Sequence, residues 1–201
     1  MRIVAGTAGG LEIATPKTDL RPTMDRVRGA IFSSLGEFIV GARVLDLFAG
    51  SGGLGIEALS RGAAAAVFVE SDRRATATIV KNLAHTKLTG TIQTLDIFAY
   101  LDRLAGAASF DLIIADPPYA KKPGERDFAP ELLRSESLRR ALKPGGIFIL
   151  EHLPHATLQL APEWELLRDK RYGATAVAFL RATPRSGDLQ SPTPTPTPTA
   201  N

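Results

Sequence analysis

An apolar run that breaks into closely spaced glycines and then into a helical pattern limits this chain to few folds. The run is Val44-Leu45-Asp46-Leu47-Phe48-Ala49-Gly50-Ser51-Gly52-Gly53-Leu54-Gly55, and Ile56-Glu57-Ala58-Leu59 opens the helix. Glycine permits positive φ and lets the backbone approach a ligand closely. A strand, a glycine turn and a helix in that order form the first unit of a doubly wound sheet. Around it, residues 21–182 alternate strand-like and helix-like segments, which predicts a parallel sheet with crossover helices. The strands are expected at Arg43–Phe48, Ala66–Glu70, Thr91–Leu95, Phe110–Ala115 and Ile147–Glu151. One helix is expected over Thr23–Leu35, with Val27, Ile31 and Leu35 on one stripe. A second starts at Asp72 and turns Ala75, Ile79, Val80 and Leu83 inward; a third covers Ala129–Leu142 and stops at Lys143-Pro144-Gly145-Gly146. Trp164–Lys170 and Thr175–Arg181 predict a closing β-hairpin over Tyr172-Gly173. The sum is an α/β chain with a seven-stranded, mostly parallel sheet.

Two segments flank this middle part. Residues 1–20 are glycine-rich, with β-type patches at Ile3-Val4 and Leu11-Glu12-Ile13, and read as a β-hairpin arm. Residues 183–201 end in alternating Pro and Thr, which can build neither a ladder nor a core, so a disordered, extended tail is expected. The 201 residues, 44% of them hydrophobic, suffice for one good core. The chain has no cysteine, which excludes disulfides and thiolate metal sites, and no metal is expected. It has no long apolar run and no apolar stretch after Met1-Arg2-Ile3-Val4, so a soluble, cytoplasmic protein without membrane contact is expected. A net charge of +3 permits a polyanionic partner without requiring one.

Gly50, Gly52 and Gly55 match G-x-G-x-x-G, and Glu70 ends the next strand. Taken literally, that is a nicotinamide dinucleotide fingerprint with its ribose-binding acid, and an oxidoreductase is one reading. Asp46 opposes it. A dinucleotide places pyrophosphate at the helix N-terminus, where a carboxylate would repel it. S-adenosylmethionine carries a sulfonium and an amino group and no phosphate, so Asp46 beside the glycines favours that cofactor. Phe48, Ala49, Gly50, Ser51 and Gly52 are the expected loop contacts. Asp46 is expected to attract the amino group, and Glu70, followed by Ser71, to accept the ribose hydroxyls. Asp96 is either an acceptor for the adenine amine, with Ile97 against the ring, or the N-cap of the following helix.

About seventy residues after Asp46, Phe110-Asp111-Leu112-Ile113-Ile114-Ala115 runs into Asp116-Pro117-Pro118-Tyr119. The apolar run reads as a strand ended by two prolines. A carboxylate, a rigid turn and an aromatic ring at a strand's C-terminal end can hold a flat base that bears an exocyclic amine. Such an amine conjugates its lone pair into the ring and is a poor nucleophile. Asp116 and the Pro117 carbonyl can each accept a hydrogen bond from it and free the lone pair, while Tyr119 stacks on the base. Guanine's N1–H and N2–H₂ are both donors, which suits an acceptor-only carboxylate. A paired base cannot reach such a pocket, so the target must be flipped or single-stranded.

With these motifs, Arg21-Pro22-Thr23-x-x-Arg26-Val27-Arg28 and Arg171-Tyr172-Gly173 make the chain resemble the RsmD family over about residues 1–182. The resemblance implies a Rossmann-like class I S-adenosylmethionine-dependent methyltransferase, acting on the N2 amine of one guanine in small-subunit (16S) ribosomal RNA. It implies Asp116, Pro117, Pro118 and Tyr119 as the catalytic residues, and a monomer that meets 16S rRNA in an assembling small ribosomal subunit. Arg21, Arg26 and Arg28, with Lys121, Lys122 and Arg126 after Tyr119, are the expected RNA contacts. The arm from Gly6 to Glu12 lacks Lys and Arg, unlike most of that family, so weak, salt-sensitive binding to naked RNA is expected. An adenine-N6 or glutamine-amide methyltransferase and a non-catalytic RNA-binding module remain alternatives.

Overall fold

Helices and strands alternate from Pro22 to Ala115, after which two helices and then three strands follow. The order is α1 (Pro22–Leu35), β1 (Arg43–Leu47), α2 (Gly53–Ser60), β2 (Ala65–Glu70), α3 (Arg73–Thr86), β3 (Thr91–Thr94) and α4 (Ile97–Arg103). There follow β4 (Phe110–Ala115), α5 (Phe128–Arg134), α6 (Glu136–Ala141), β5 (Leu142–His152), β6 (Trp164–Tyr172) and β7 (Thr175–Ala182). The computed structural model describes residues 1–15, 22–104, 107–120, 122 and 124–183. The expected Pro/Thr tail lies outside the described residues apart from Thr183.

All seven strands join one sheet in the order β3-β2-β1-β4-β5-β7-β6. β1 to β5 run parallel, and β7 is antiparallel to both β5 and β6. This is the Rossmann-like architecture expected of the chain. The chain reverses its winding direction between β1 and β4, which pair with Leu47 opposite Ala115. A crevice opens at such a point, outside the carboxyl ends of the strands.

Strand residues alternate between two apolar layers. Val44, Phe68, Leu112, Ile114 and Ile149 face the side covered by α1, α2 and α3. Leu45, Val69, Ile113, Phe148 and Leu150 face the side of α4, α5 and α6. Burial on both faces is why these strands are nearly continuous apolar runs.

The arm docks on the first layer. Arg2 and Glu12 form an antiparallel bridge, the Ile3 N–H donates to the Leu11 carbonyl at 2.9 Å, and Ile3, Ala8 and Ile13 enter the core. The Glu57 carboxylate of α2 accepts the amides of Val4 at 2.7 Å and Ala5 at 3.1 Å. Arg61 Nε lies 2.6 Å from the same carboxylate, and Arg28 Nε 3.5 Å from it.

Three expectations change. Val80 points to solvent, because the inward stripe of α3 runs through Thr76, Ile79, Asn82, Leu83 and Thr86. The helix expected over Ala129–Leu142 is two. Ser135 is extended, and its Oγ accepts the Leu138 N–H at 3.1 Å, so a serine mid-pattern caps a new helix. Lys143–Gly146 is an irregularity within β5: Leu142 still pairs with Phe110 before the ladder resumes at Leu112 and Ile147.

Candidate active site

Asp46 does more than sit beside the glycines. Gly52, at φ 85°, is the N-cap of α2 and has no side chain to cap it. Asp46 supplies the cap from β1: its Oδ2 accepts the Gly55 N–H at 2.8 Å. Gly55 itself is required, since an added Cβ would lie 2.3 Å from Cε1 of Phe68. An acid thus already occupies the helix start, where a pyrophosphate would have to bind. The occupied helix start suits a phosphate-free ligand better than a dinucleotide.

Asp46 is 1% exposed. Burial pushes its carboxyl up to about 7; the Gly55 N–H pulls it back and the charge of Glu70 pushes it further up. The folded chain therefore binds this proton more tightly than the unfolded chain. The resulting stability is full below the ordinary value of 3.8 and is lost as pH rises to about 7. Asp46→Asn, which cannot ionise, should gain on the parent as pH rises from about 4 to about 7, read by urea unfolding of the cofactor-free proteins. A stability difference that stays constant across that window would mean that Asp46 titrates as an ordinary carboxylate.

Glu70 ties the loop to the end of β2. Its Oε2 accepts the Gly50 N–H and its Oε1 the Asp72 N–H, both at 2.9 Å. Each oxygen retains a further acceptor site for a ribose hydroxyl. Ser71 beside it is exposed. Phe48 takes φ 58°, a strained left-handed conformation for a bulky residue, and packs edge-on against Phe128 at 4.9 Å. Ala49 is buried, Ser51 half-buried, and the Ser51 carbonyl accepts Nδ2 of Asn82 at 2.9 Å. Asp96 caps α4, with Oδ1 accepting the amides of Phe98 and Ala99. Ile97 is buried in the second layer.

Asp116 to Tyr119 leave the end of β4, beside the loop that leaves β1. Asp116 is half-buried, Pro117 buried and Pro118 exposed. A cleft of about 350 Å³ opens against Pro117, Pro118 and Tyr119; Glu151 and Leu153 line it, with Pro130 and Leu133 of α5 and the segment from Ala156 to Gln159. The Tyr119 hydroxyl lies 2.6 Å from Thr175 Oγ1 and 3.2 Å from Glu151 Oε1.

The expected RNA contacts divide. Arg26 and Lys122 are exposed. Arg21 and Lys121 lie outside the described residues. Arg28 is corrected: it is 3% exposed, pairs with Asp25 at 2.8 Å and with Glu57, and donates to the Arg2 carbonyl. Buried Glu57 draws its charge inward, away from any phosphate. Arg126 is exposed but forms a bidentate pair with Glu131 and stacks on Phe98 and Phe128, 5.0 and 4.6 Å from the ring centroids.

Sequence reasoning passed over Asn82, Glu151 and Thr175. Asn82 sits on the inward stripe of α3 and could have been noticed as a polar residue there. Besides Ser51 it bonds both backbone groups of Ala14, linking arm and glycine loop. Glu151 ends an apolar strand, which was a signal; Thr175 is an ordinary strand residue and gave none.

The chain is similar to several known proteins. The family model described as Conserved hypothetical protein 95 matches residues 1–181. A Bacillus subtilis protein, YlbH, named only provisionally as an rRNA methyltransferase, is 36% identical over 188 residues, 90% of this chain and 98% of its own. Ribosomal RNA small subunit methyltransferase D of Haemophilus influenzae is 32% identical over 177 residues, 86% of this chain and 89% of its own. Among solved structures, the Thermus thermophilus 16S rRNA N2 methyltransferase RsmC, in complex with AdoMet and guanosine, superposes with a TM-score of 0.64 at 25% identity, over 83% of this chain and 44% of that one.

Proposed function

This chain belongs to the RsmD family, and from that premise we propose that it methylates the exocyclic N2 amine of a guanine in small-subunit (16S) ribosomal RNA, with S-adenosylmethionine as cofactor. One observation carries the reading: an acid, two prolines and a tyrosine leave β4 beside the glycine loop whose helix is capped by an internal acid. The rRNA methyltransferase relatives support the substrate class, and RsmC, solved with guanosine, supports the base.

S-adenosylmethionine supplies an electrophilic methyl group when bound. Glu70 would accept the ribose hydroxyls, and the loop from Phe48 to Gly52 would hold the ligand. Asp46 acts chiefly by holding that loop through Gly55. Asp116 and the Pro117 carbonyl would accept hydrogen bonds from the guanine amine and orient its lone pair towards the methyl group. Tyr119 stacks on the base, a contact worth about 1–3 kcal/mol. Holding both partners in line supplies much of the rate. Arg26 and Lys122 are the exposed candidates for phosphate contact. The protein acts as a monomer on an assembling subunit, whose shape provides the specificity that so small a net charge cannot.

Two measurements test this reading. Calorimetry should show that S-adenosylmethionine binds and NAD does not; the reverse would overturn the cofactor assignment. Nucleoside mapping of 16S rRNA, incubated as small subunits with and without the protein, should show one new N2-methylguanosine. A new N6-methyladenosine instead would transfer the site to an adenine.

A further inference from the structure

We infer that Glu151 and Thr175 are positioning residues for Tyr119, so that the C-terminal hairpin sets the pose of the target base. This rests on the reading that the base stacks on Tyr119. Three elements converge on the Tyr119 hydroxyl: the turn after β4, Glu151 near the end of β5, and Thr175 at the start of β7. The distances form a chain. Tyr119 Oη lies 2.6 Å from Thr175 Oγ1, and Thr175 Oγ1 donates to Glu151 Oε1 at 2.8 Å. Thr175 has one proton, and the Glu151 carboxylate at 2.8 Å is a closer acceptor for it than the His152 carbonyl at 3.3 Å; the Tyr119 proton then goes to the Thr175 oxygen or to Glu151 at 3.2 Å. Burial, with the charge of Glu151 next to it, holds the tyrosine hydroxyl above its ordinary range, so it stays a donor.

A tyrosine that served only as an apolar platform would have no use for this arrangement. The ring follows two prolines, and its side chain can still turn about its own torsions. Fastening the hydroxyl to two strands removes that freedom at the edge of a cleft of about 350 Å³. The arrangement also gives the Arg171-Tyr172-Gly173 turn a task. Gly173, at φ 65°, closes the hairpin and brings Thr175 opposite Tyr172, one residue before the β7 stretch that pairs with the end of β5. A stacked base tilted with an unanchored ring would present its amine off the line of transfer.

The test is single-turnover methylation of small subunits at saturating substrate, with S-adenosylmethionine affinity measured separately. Tyr119→Phe keeps the ring and loses the hydroxyl; Thr175→Val keeps the shape and loses the relay. Each should slow transfer about tenfold, the scale of one hydrogen bond to a charged network, with cofactor affinity unchanged. Thr175→Ser should restore the rate, and the Tyr119→Phe/Thr175→Val double variant should be no slower than either single variant. Parental rates in Tyr119→Phe, a Thr175→Ser variant no faster than Thr175→Val, or losses that multiply to about a hundredfold would each overturn the inference. If Thr175→Val fails to fold, Tyr119→Phe decides alone. A parent protein that transfers no methyl group to ribosomal RNA would overturn the proposed function itself, a result distinct from an active parent with indifferent variants.

Discussion

Asp116→Ala should lower methyl transfer by about 10²–10³-fold and leave S-adenosylmethionine affinity close to that of the parent. The size follows from what the carboxylate does. It accepts hydrogens from an amine whose lone pair is otherwise delocalised, and this interaction strengthens as the nitrogen becomes tetrahedral. Interactions that strengthen towards the transition state act on kcat, so the loss should appear in the single-turnover rate. The loop that leaves β1 is held by Asp46 and Glu70, at 2.8 and 2.9 Å from Gly55 and Gly50, so removing Asp116 leaves the cofactor's contacts in place. Asp116→Asn keeps one acceptor oxygen and should fall between the two. Parental turnover by Asp116→Ala would make Asp116 a turn residue and end the proposed mechanism. Equal losses in turnover and cofactor affinity would move its role to the cofactor side.

Glu57→Ala should destabilise the fold by about 3–5 kcal/mol, the scale for removing one partner of a buried ion pair. Glu57 is 0% exposed, and the Arg28 side chain 4% exposed. Without Glu57, the Arg28 guanidinium keeps, among the described residues, Asp25, the Arg2 carbonyl and Met1 Sδ around it, and the amides of Val4 and Ala5 lose their acceptor. The amides of residues 4 and 5 should then exchange with solvent faster than those of β1. Urea unfolding gives the first quantity and hydrogen exchange the second. A loss below about 1 kcal/mol, typical of an exposed pair, would show that the arm docks through its apolar contacts alone.

Local chemistry carried a large part of this outcome. The apolar run into Gly50 and Gly52, the alternation of strand and helix periods, and two prolines ending β4 are all short-range signals. They placed the parallel sheet and its order of elements, and brought Asp46, Glu70, Asp96 and Asp116 to one sheet edge. They also placed Asp72 as a helix start, where its side chain accepts the Arg74 N–H at 2.8 Å.

Through-space partners decided the rest. A periodic pattern put Val80 inward, but the stripe of α3 was drawn round to Asn82 by backbone groups of Ala14 and Ser51. The family resemblance put Arg28 among the RNA contacts, but a carboxylate 3.5 Å away in another helix drew it in. Asp46 was read for its charge towards a ligand, and only the stacking of β1 beneath α2 revealed that it caps Gly55. Tyr119 and Thr175 are 56 residues apart, and Glu57 and Val4 are 53 apart. The sequence by itself determined which elements form and which end of the sheet holds the chemistry, because backbone period and turn preference are local properties. Only the tertiary structure decided which polar groups meet, because a buried charge or hydroxyl takes whichever partner the packed layers bring within hydrogen-bond distance.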